Sequence, residues 1–183
     1  FFVLHARYWG ALLPTIRSRA QRLVVPAVLP EQAVGESGWD GLLSQLSGQC
    51  SSTLAVRRQD ESYKNLCELL WTQWLTKGQP PLQFADKLSD YTMEDICGVM
   101  QAILFAQLGM RSGANERAVR LYQAFVQVFG EVPWALSLWQ NYEINQLVTD
   151  AKRVVRANMA HTATYQLDRL VIATKLCMAK KSQ

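Results

Sequence analysis

The pattern that most constrains this sequence is a succession of helix-length segments with apolar residues at helical spacing, each bounded by a capping residue, a glycine or a proline. No segment shows the alternation of apolar and polar residues that a half-buried strand requires. We therefore predict an all-α fold, an irregular helical bundle of about seven or eight helices. The segments expected to be helical are about 1–13, 15–25, 39–46, 61–77, 82–88, 93–109, 116–129 and 133–148, with a helical tail over 151–181.

Local signals predict several of these helix boundaries. Asp60 can cap the helix that follows it, and Gly78 marks the end of the same helix. Thr92, followed three residues later by Asp95, resembles a capping box with Asp in place of Glu. Gly130 ends the helix that precedes it.

The length of 183 residues, with 49% hydrophobic residues, is enough for one hydrophobic core. We predict a basic, apolar N-terminal flank over residues 1–30 and a helical domain over 31–183, whose most stable part covers about 60–148. Ile103 and Leu104 are expected inside that core. The six tryptophans are interpreted mainly as buried anchors, because each combines a large apolar ring with an N–H that needs an acceptor.

The formal charge of +4 is distributed unevenly along the chain. Residues 1–30 contain four arginines and no acid, and residues 31–150 contain fourteen acids and eight bases. Residues 151–183 contain seven bases and one acid, Asp168. Segregated charge of this kind favours contact between the basic ends and an anionic partner, because summed charge steers association over about 10 Å.

The basic C-terminal segment is the first candidate binding surface. We predict that it binds an acidic protein or anionic head groups through Lys152, Arg153, Arg156, Lys175, Lys180 and Lys181. One alternative is that these bases pair within the fold with the acidic group Asp86, Asp90, Glu94 and Asp95. Another alternative is binding to the phosphates of a nucleic acid, with little base stacking, since Tyr165 is the aromatic residue among these charges.

The N-terminal segment is the second candidate surface. Its aromatic and basic residues resemble those found on the cytoplasmic side of a membrane segment. The predicted membrane-proximal residues are Arg7, Tyr8, Trp9, Arg17, Arg19 and Arg22. The alternative is an ordinary amphipathic first helix that packs on the core.

Residues for chemistry are scarce in this sequence. Cys50, Cys67, Cys97 and Cys177 have no spacing suited to a zinc site, so we interpret them as reduced thiols, which favours a cytoplasmic location. The two histidines have no catalytic signature around them, and no glycine-rich phosphate-binding loop is present. We therefore expect no enzyme activity, no catalytic residues, no metal site and no cofactor.

The segment RAVRLYQAFVQVFGEVPWALSLWQNYE, residues 117–143, resembles the helix pairs of half-a-TPR and other TPR-like repeats in its aromatic and proline positions. The resemblance covers fewer than 30 residues, and no second copy follows at the period of about 34 to 47 residues that such repeats need. We interpret it as the general pattern of a helical hairpin. Membership of a repeat family would imply a protein-binding scaffold without catalysis.

These observations favour a non-catalytic helical protein-interaction domain, a scaffold or adaptor, in the cytoplasmic part of a membrane-associated assembly. Its expected partner is an acidic protein, and the alternative partner is a second copy of the chain. The alternative function is a helical nucleic-acid-binding protein that uses the basic C-terminal segment.

Overall fold

The computed structural model describes residues 14–17, 38–46, 60–76, 78–113, 115–132, 134–158 and 163–179. Within these ranges the chain is all-α, without a strand, which confirms the predicted fold class. The helices are α1 (Pro14–Arg17), α2 (Trp39–Leu46), α3 (Glu61–Gln73), α4 (Pro81–Leu88), α5 (Met93–Ser112), α6 (Glu116–Phe129), α7 (Leu138–Asn158) and α8 (Ala163–Ala179). The predicted division at residue 30 lies outside the described residues.

Side-chain caps begin three of the central helices, and two of these caps confirm the sequence prediction. The carboxylate of Asp60 accepts a hydrogen bond from the backbone N–H of Tyr63 at 3.1 Å. The hydroxyl of Thr92 accepts from the backbone N–H of Asp95 at 3.2 Å and donates to its carboxylate at 2.8 Å. The third cap, Asn115 at the start of α6, accepts from two backbone N–H groups. Each cap satisfies a donor that the first helical turn leaves without a partner.

Two predicted helix ends are wrong. Helix α3 ends at Gln73 rather than near residue 77, and a turn follows in which the N–H of Thr76 donates to the carbonyl of Gln73. Helix α5 continues through Gly109 to Ser112, and Gly113 closes it in the left-handed conformation at φ 61°. Glycine adopts this conformation without a Cβ clash, which is why the helix ends there.

The start of α7 also differs from the prediction of a helix over 133–148. Residues 134–137 are non-helical, and the helix begins at Leu138 and continues to Asn158. The signal is a capping box: the hydroxyl of Ser137 accepts from the N–H of Gln140 at 3.1 Å, and the N–H of Ser137 donates to the Gln140 side chain at 3.0 Å. This box, rather than a proline, fixes the first turn of α7.

Helix α5 lies at the centre of the bundle. It packs against α3, α6 and α7, and α8 packs against α7 and α4. The apolar residues of α5 are buried around most of its circumference, as expected for a helix with neighbours on several sides. Ile103 and Leu104 are 0% and 1% exposed, as the sequence analysis expects.

Two tryptophans of α3 connect it to distant parts of the chain. The indole N–H of Trp71 donates to the carbonyl of Gly130 at 2.8 Å, and its ring stacks on Phe125 with centroids 4.6 Å apart. The indole N–H of Trp74 donates to the hydroxyl of Thr174 in α8 at 3.2 Å. Both rings are fully buried, so these hydrogen bonds remove the cost of burying two polar groups.

Gly109 allows α5 and α6 to approach closely. A Cβ at this position would lie against the Ala118 side chain, 2.8 Å from the Ala118 carbonyl carbon and 2.9 Å from the backbone nitrogen of Val119. Two of these contacts involve backbone atoms, which cannot move aside as a flexible side chain can. The close packing of α5 against α6 therefore depends on the absence of a side chain at Gly109.

We predict that Gly109→Ala destabilises the protein by about 1 to 3 kcal/mol or more, because the added methyl group forces α5 and α6 apart. The matched control is Gly98→Ala in the same helix, where a Cβ would meet nothing within 4 Å. That variant should be neutral or more stable by up to about 1 kcal/mol, since alanine favours helix. Urea unfolding measures both. Equal effects of the two substitutions would contradict the close approach.

We also predict that Thr174→Val costs about 1 to 3 kcal/mol, because valine has a similar shape but leaves the buried Trp74 N–H without an acceptor. Thr72→Val is the control, since the Thr72 hydroxyl donates to the carbonyl of Glu68 at the surface of α3. Its effect should stay within about 0.5 kcal/mol. Thermal unfolding of both variants measures the difference, and an unchanged midpoint for Thr174→Val would contradict the role of the hydrogen bond.

Candidate protein-interaction face on α7 and α8

Large apolar side chains are exposed on the last two described helices. Of the nine that are exposed within the described ranges, six lie on α7 and α8. These two helices pack side by side. The residues on their inner side are buried: Ile144 and Val148 on α7, and Val171 and Thr174 on α8. We call the exposed side of this helix pair the outer face; its apolar members are Leu138, Trp139, Tyr142, Tyr165, Ile172 and Leu176.

Trp139 and Tyr142 form an aromatic pair at the start of α7. Their ring centroids are 5.9 Å apart with an interplanar angle of 32°. They are 67% and 56% exposed, whereas Trp71, Trp74 and Trp134 are buried. The capping box of Ser137 and Gln140 places this pair in the first two turns, where the helix backbone is fixed. The aromatic pair is therefore a rigid apolar surface in water.

A hydrogen bond between α7 and α8 brings the aromatic pair close to the end of α8. The side-chain amide of Gln140 donates to the carbonyl of Cys177 at 3.3 Å. Trp139 and Leu176 are the sequence neighbours of these two residues, and both are exposed, at 67% and 60%. The helices are antiparallel, so Tyr165 lies at the opposite end of the outer face.

Charges of both signs lie on the solvent side of these two helices. The guanidinium of Arg153 contacts the carboxylate of Asp150 at 3.1 Å, and both side chains are well exposed. Arg169 is exposed on α8, and no acidic partner is found for it among the described residues. Glu143 and Asp168 are acids on the same two helices, so the charge of this helix pair is mixed, and Arg169 is one exposed base in it.

Lys175, a predicted binding residue, makes its contacts within the fold. Its ammonium group donates to the carbonyl of Gln79 at 2.9 Å and lies 5.4 Å from the centroid of the Phe84 ring. Burial lowers the pKa of Lys175, because burial disfavours its charged form. These contacts connect α8 to the segment before α4. The ammonium group of Lys175 is therefore less available to a partner.

Lys152 also contacts a neighbouring helix. Its ammonium group donates to the side-chain oxygen of Gln101 in α5 at 2.9 Å. It is also close enough to Cys97 to lower the pKa of that thiol, while Glu94 raises it and burial raises it most, to about 11. Lys152, from the basic end of the chain, and Glu94, from its acidic middle, therefore both lie near this thiol.

The structure does not bring all the predicted bases together. Lys152 and Arg153 are adjacent, but Lys152 lies twelve residues beyond Gln140 along α7, about 18 Å from the end of the pair where Lys175 is found. Arg156 belongs to α7, and its side chain lies outside the described part of the structure. Lys180 and Lys181 also lie outside the described residues. The predicted docking role of the six bases stays a prediction.

The predicted membrane-proximal residues cannot be located on this surface. Arg7, Tyr8, Trp9, Arg19 and Arg22 lie outside the described residues, and Arg17 is the last residue of the short helix α1. Among the described helices, we find none with the length and hydropathy that crossing a bilayer requires. The membrane-proximal role of these six residues stays a prediction.

Reactive groups do not converge in the described part of the chain. Within it, no three His, Cys, Asp or Glu side chains are placed to hold a metal ion. Cys67, Cys97 and Cys177 are buried and form no disulfide, and His5 and His161 lie outside the described residues. A thiol with a pKa near 11 is protonated at neutral pH, and its reactivity as a nucleophile is correspondingly low.

Five residues of the outer face were not predicted as binding candidates: Leu138, Trp139, Tyr142, Ile172 and Leu176. A signal for two of them was present, since a capping box at Ser137 and Gln140 fixes where the helical period begins. On that period, Trp139 and Tyr142 lie away from the buried Ile144 and Val148. For α8 the signal was weaker, because apolar residues occur around the helix.

Comparison with known proteins gives no further information. No family model matches the chain, and neither a curated protein nor a solved structure is significantly similar to it.

We predict a specific pH dependence for Cys97. Its thiol ionises at about 11 in the folded protein and near 9.0 in the unfolded chain, so folding stability falls as the pH rises from 9 to 11. The loss is at most about 3 kcal/mol. Cys97→Ala removes this contribution but leaves the titration of lysines and tyrosines. Urea unfolding at pH 8 and pH 11 should show a larger loss for the natural sequence, and equal losses would contradict the burial argument.

Proposed function

We propose that this chain is a non-catalytic helical protein-interaction domain, a scaffold or adaptor, that binds an acidic protein through the outer face. The observation that carries the proposal is the aromatic pair Trp139 and Tyr142, rigidly held and more than half exposed. Aromatic side chains of this kind provide much of the binding energy in protein interfaces. Leu138 and Leu176 extend the apolar area around them.

The contrast with the other tryptophans supports this proposal. Trp71 and Trp74 are buried, and each donates its indole N–H to a partner inside the fold. Trp139 has most of its ring in water, where an apolar surface of this size is unfavourable unless another molecule covers it. The rings of Trp71 and Trp74 are therefore explained by the stability of the fold. The exposed ring of Trp139 is better explained by contact with a partner.

The basic composition of the C-terminal segment favours an acidic partner. Asp150 is neutralised by Arg153, and Arg169 is exposed on the neighbouring helix. The sequence from residue 151 onward has seven bases and one acid. Complementary charge speeds association and selects among partners more than it adds affinity.

Nucleic-acid binding has less support from the geometry. Lys175 and Lys152 both use their ammonium groups within the fold. Tyr165 is exposed about one helical turn before Arg169 on α8. The larger aromatic surface, formed by Trp139 and Tyr142, is at the other end of the outer face. Phosphate binding would need bases grouped along one track, and the described bases are spread over both ends of the helix pair.

The proposed location is the cytoplasmic side of a membrane-associated assembly. Its support is the sequence of the N-terminal flank, where Tyr8 and Trp9 adjoin Arg7 and precede Arg17, Arg19 and Arg22 without an intervening acid.

The experiment replaces single residues with a photo-crosslinking amino acid in the full chain, in the cell that naturally contains it. Positions 139 and 176 should form crosslinks to the same protein, because Trp139 and Leu176 lie at the same level of the outer face. The protein identified is then purified and its affinity measured. Trp139→Ala should weaken that affinity by about tenfold or more.

The controls test specificity and folding. Gln123 and Gln127 are exposed on α6, and crosslinkers at these positions should give no such product. Trp139→Ala should change stability by no more than about 0.5 kcal/mol, whereas Trp71→Ala should cost about 3 to 5 kcal/mol. Crosslinking from α6 as efficient as from the outer face would contradict the proposal. A second copy of this chain as the crosslinked protein would replace the acidic partner with self-association.

A further inference from the structure

An apolar groove separates α7 and α8 below the aromatic pair. Its volume is about 70 Å³, and its apolar walls are Leu147, Ala151 and Val154 on α7 and Leu170 and Ala173 on α8. Because both helices contribute an alanine, the space between them is not filled by their own side chains. The groove is open to the outer face, so a side chain from outside can enter it.

The size of the groove limits what can enter. A cavity of about 150 Å³ accommodates a benzene ring, and this groove has about half of that volume. An aliphatic side chain such as that of leucine or valine suits it better than an aromatic ring. The walls are apolar, so burial of such a side chain would be favourable by about 0.8 kcal/mol for each CH₂ group.

The rim of the groove is charged on both sides. Asp150 and Arg169 both line it, together with Gln166. The Asp150 carboxylate is held by Arg153 at 3.1 Å. For Arg169, whose sequence neighbour is Asp168, no ion pair is found among the residues described. The rim therefore offers the guanidinium of Arg169 to an incoming carboxylate.

Arg169 connects the groove with the exposed apolar side of α8. Arg169, Ile172 and Leu176 are separated by three and four residues, which places them along one side of the helix. A ligand that follows this side meets apolar contacts one helical turn apart. An amphipathic helix presents its own apolar residues with the same spacing.

We propose that the groove between α7 and α8 binds an amphipathic helix of a partner protein, with an aliphatic side chain in the groove and a carboxylate paired with Arg169. This inference rests on the proposed interaction function and names the chemistry of the partner. The Arg169 pair selects an acidic helix over a basic one, and the groove provides the anchor.

The test uses a synthetic helical peptide of about four turns with leucines on one side and glutamates on the other. Isothermal titration calorimetry with the full chain should detect saturable binding. A peptide with lysine in place of each glutamate should bind at least about tenfold more weakly, and a scrambled peptide of the same composition should not bind.

Variants of the protein locate the binding site. Arg169→Glu should weaken binding of the glutamate peptide by about tenfold or more, and Ala173→Phe should abolish it by filling the groove. The matched control is Arg120→Glu, the same charge change at an exposed position of α6, which should leave binding unchanged. Arg169 is exposed, so its variant is expected to fold even if Ala173→Phe does not.

Three outcomes would overturn the inference: no binding of the glutamate peptide, equal binding of the lysine peptide, or equal effects of Arg169→Glu and Arg120→Glu. None of these outcomes alters the crosslinking result at positions 139 and 176, which tests the interaction function by itself. Crosslinks without peptide binding would retain the outer face and reject the groove. Peptide binding without crosslinks would reject the proposed function in the cell.

Discussion

The arrangement of the helices depends on two indole hydrogen bonds that start from the same helix. Trp71 and Trp74 are three residues apart on α3, and their N–H groups reach Gly130 and Thr174, which are 59 and 100 residues away in sequence. A buried indole without an acceptor is costly, so these two bonds restrict where the end of α6 and the whole of α8 can lie. Because α8 is fixed in this way, the groove that it forms with α7 is fixed as well. The position of the candidate interaction face is therefore determined by the packing of the core.

The aromatic residues of this chain fall into two environments, and the difference separates folding from binding. Trp71 and Phe125 stack at a centroid distance of 4.6 Å, and Trp134 lies beside both core tryptophans. Trp139 makes a ring contact with Tyr142, and both rings are largely exposed to water. A buried ring gains free energy from the fold, but an exposed one gains it only when a partner removes its water. The same residue type thus stabilises the protein in α3 and offers a contact surface in α7.

Local features could be predicted from the sequence, whereas features that depend on neighbouring helices could not. Asp60 and Thr92 cap their helices as expected, because a cap involves residues only a few positions apart. From the sequence alone, Gly109 is predicted to end its helix. In the structure it lies inside α5, where the absence of a side chain leaves room for Ala118 of α6. The exposure of Trp139 was missed because the predicted helix began at residue 133, whereas the capping box of Ser137 and Gln140 sets the helical period of α7. Lys175 was predicted to bind a partner, and only the structure shows the Gln79 carbonyl beside its ammonium group.

The internal contacts of the bases change what the positive charge of the C-terminal segment can do. Lys152 and Lys175 donate to side-chain and backbone oxygens of the same chain, and Arg153 is next to Asp150. Arg169 is left as the exposed base at the groove, which is one charge rather than a track of several. A single exposed ion pair contributes little affinity and is screened by salt, whereas burial of apolar area is not. Binding at the outer face should therefore depend mainly on the fit of Trp139, Tyr142 and the groove, with Arg169 deciding which helices are accepted. A nucleic acid would show the opposite balance, because its affinity comes from many phosphate contacts and falls steeply with salt.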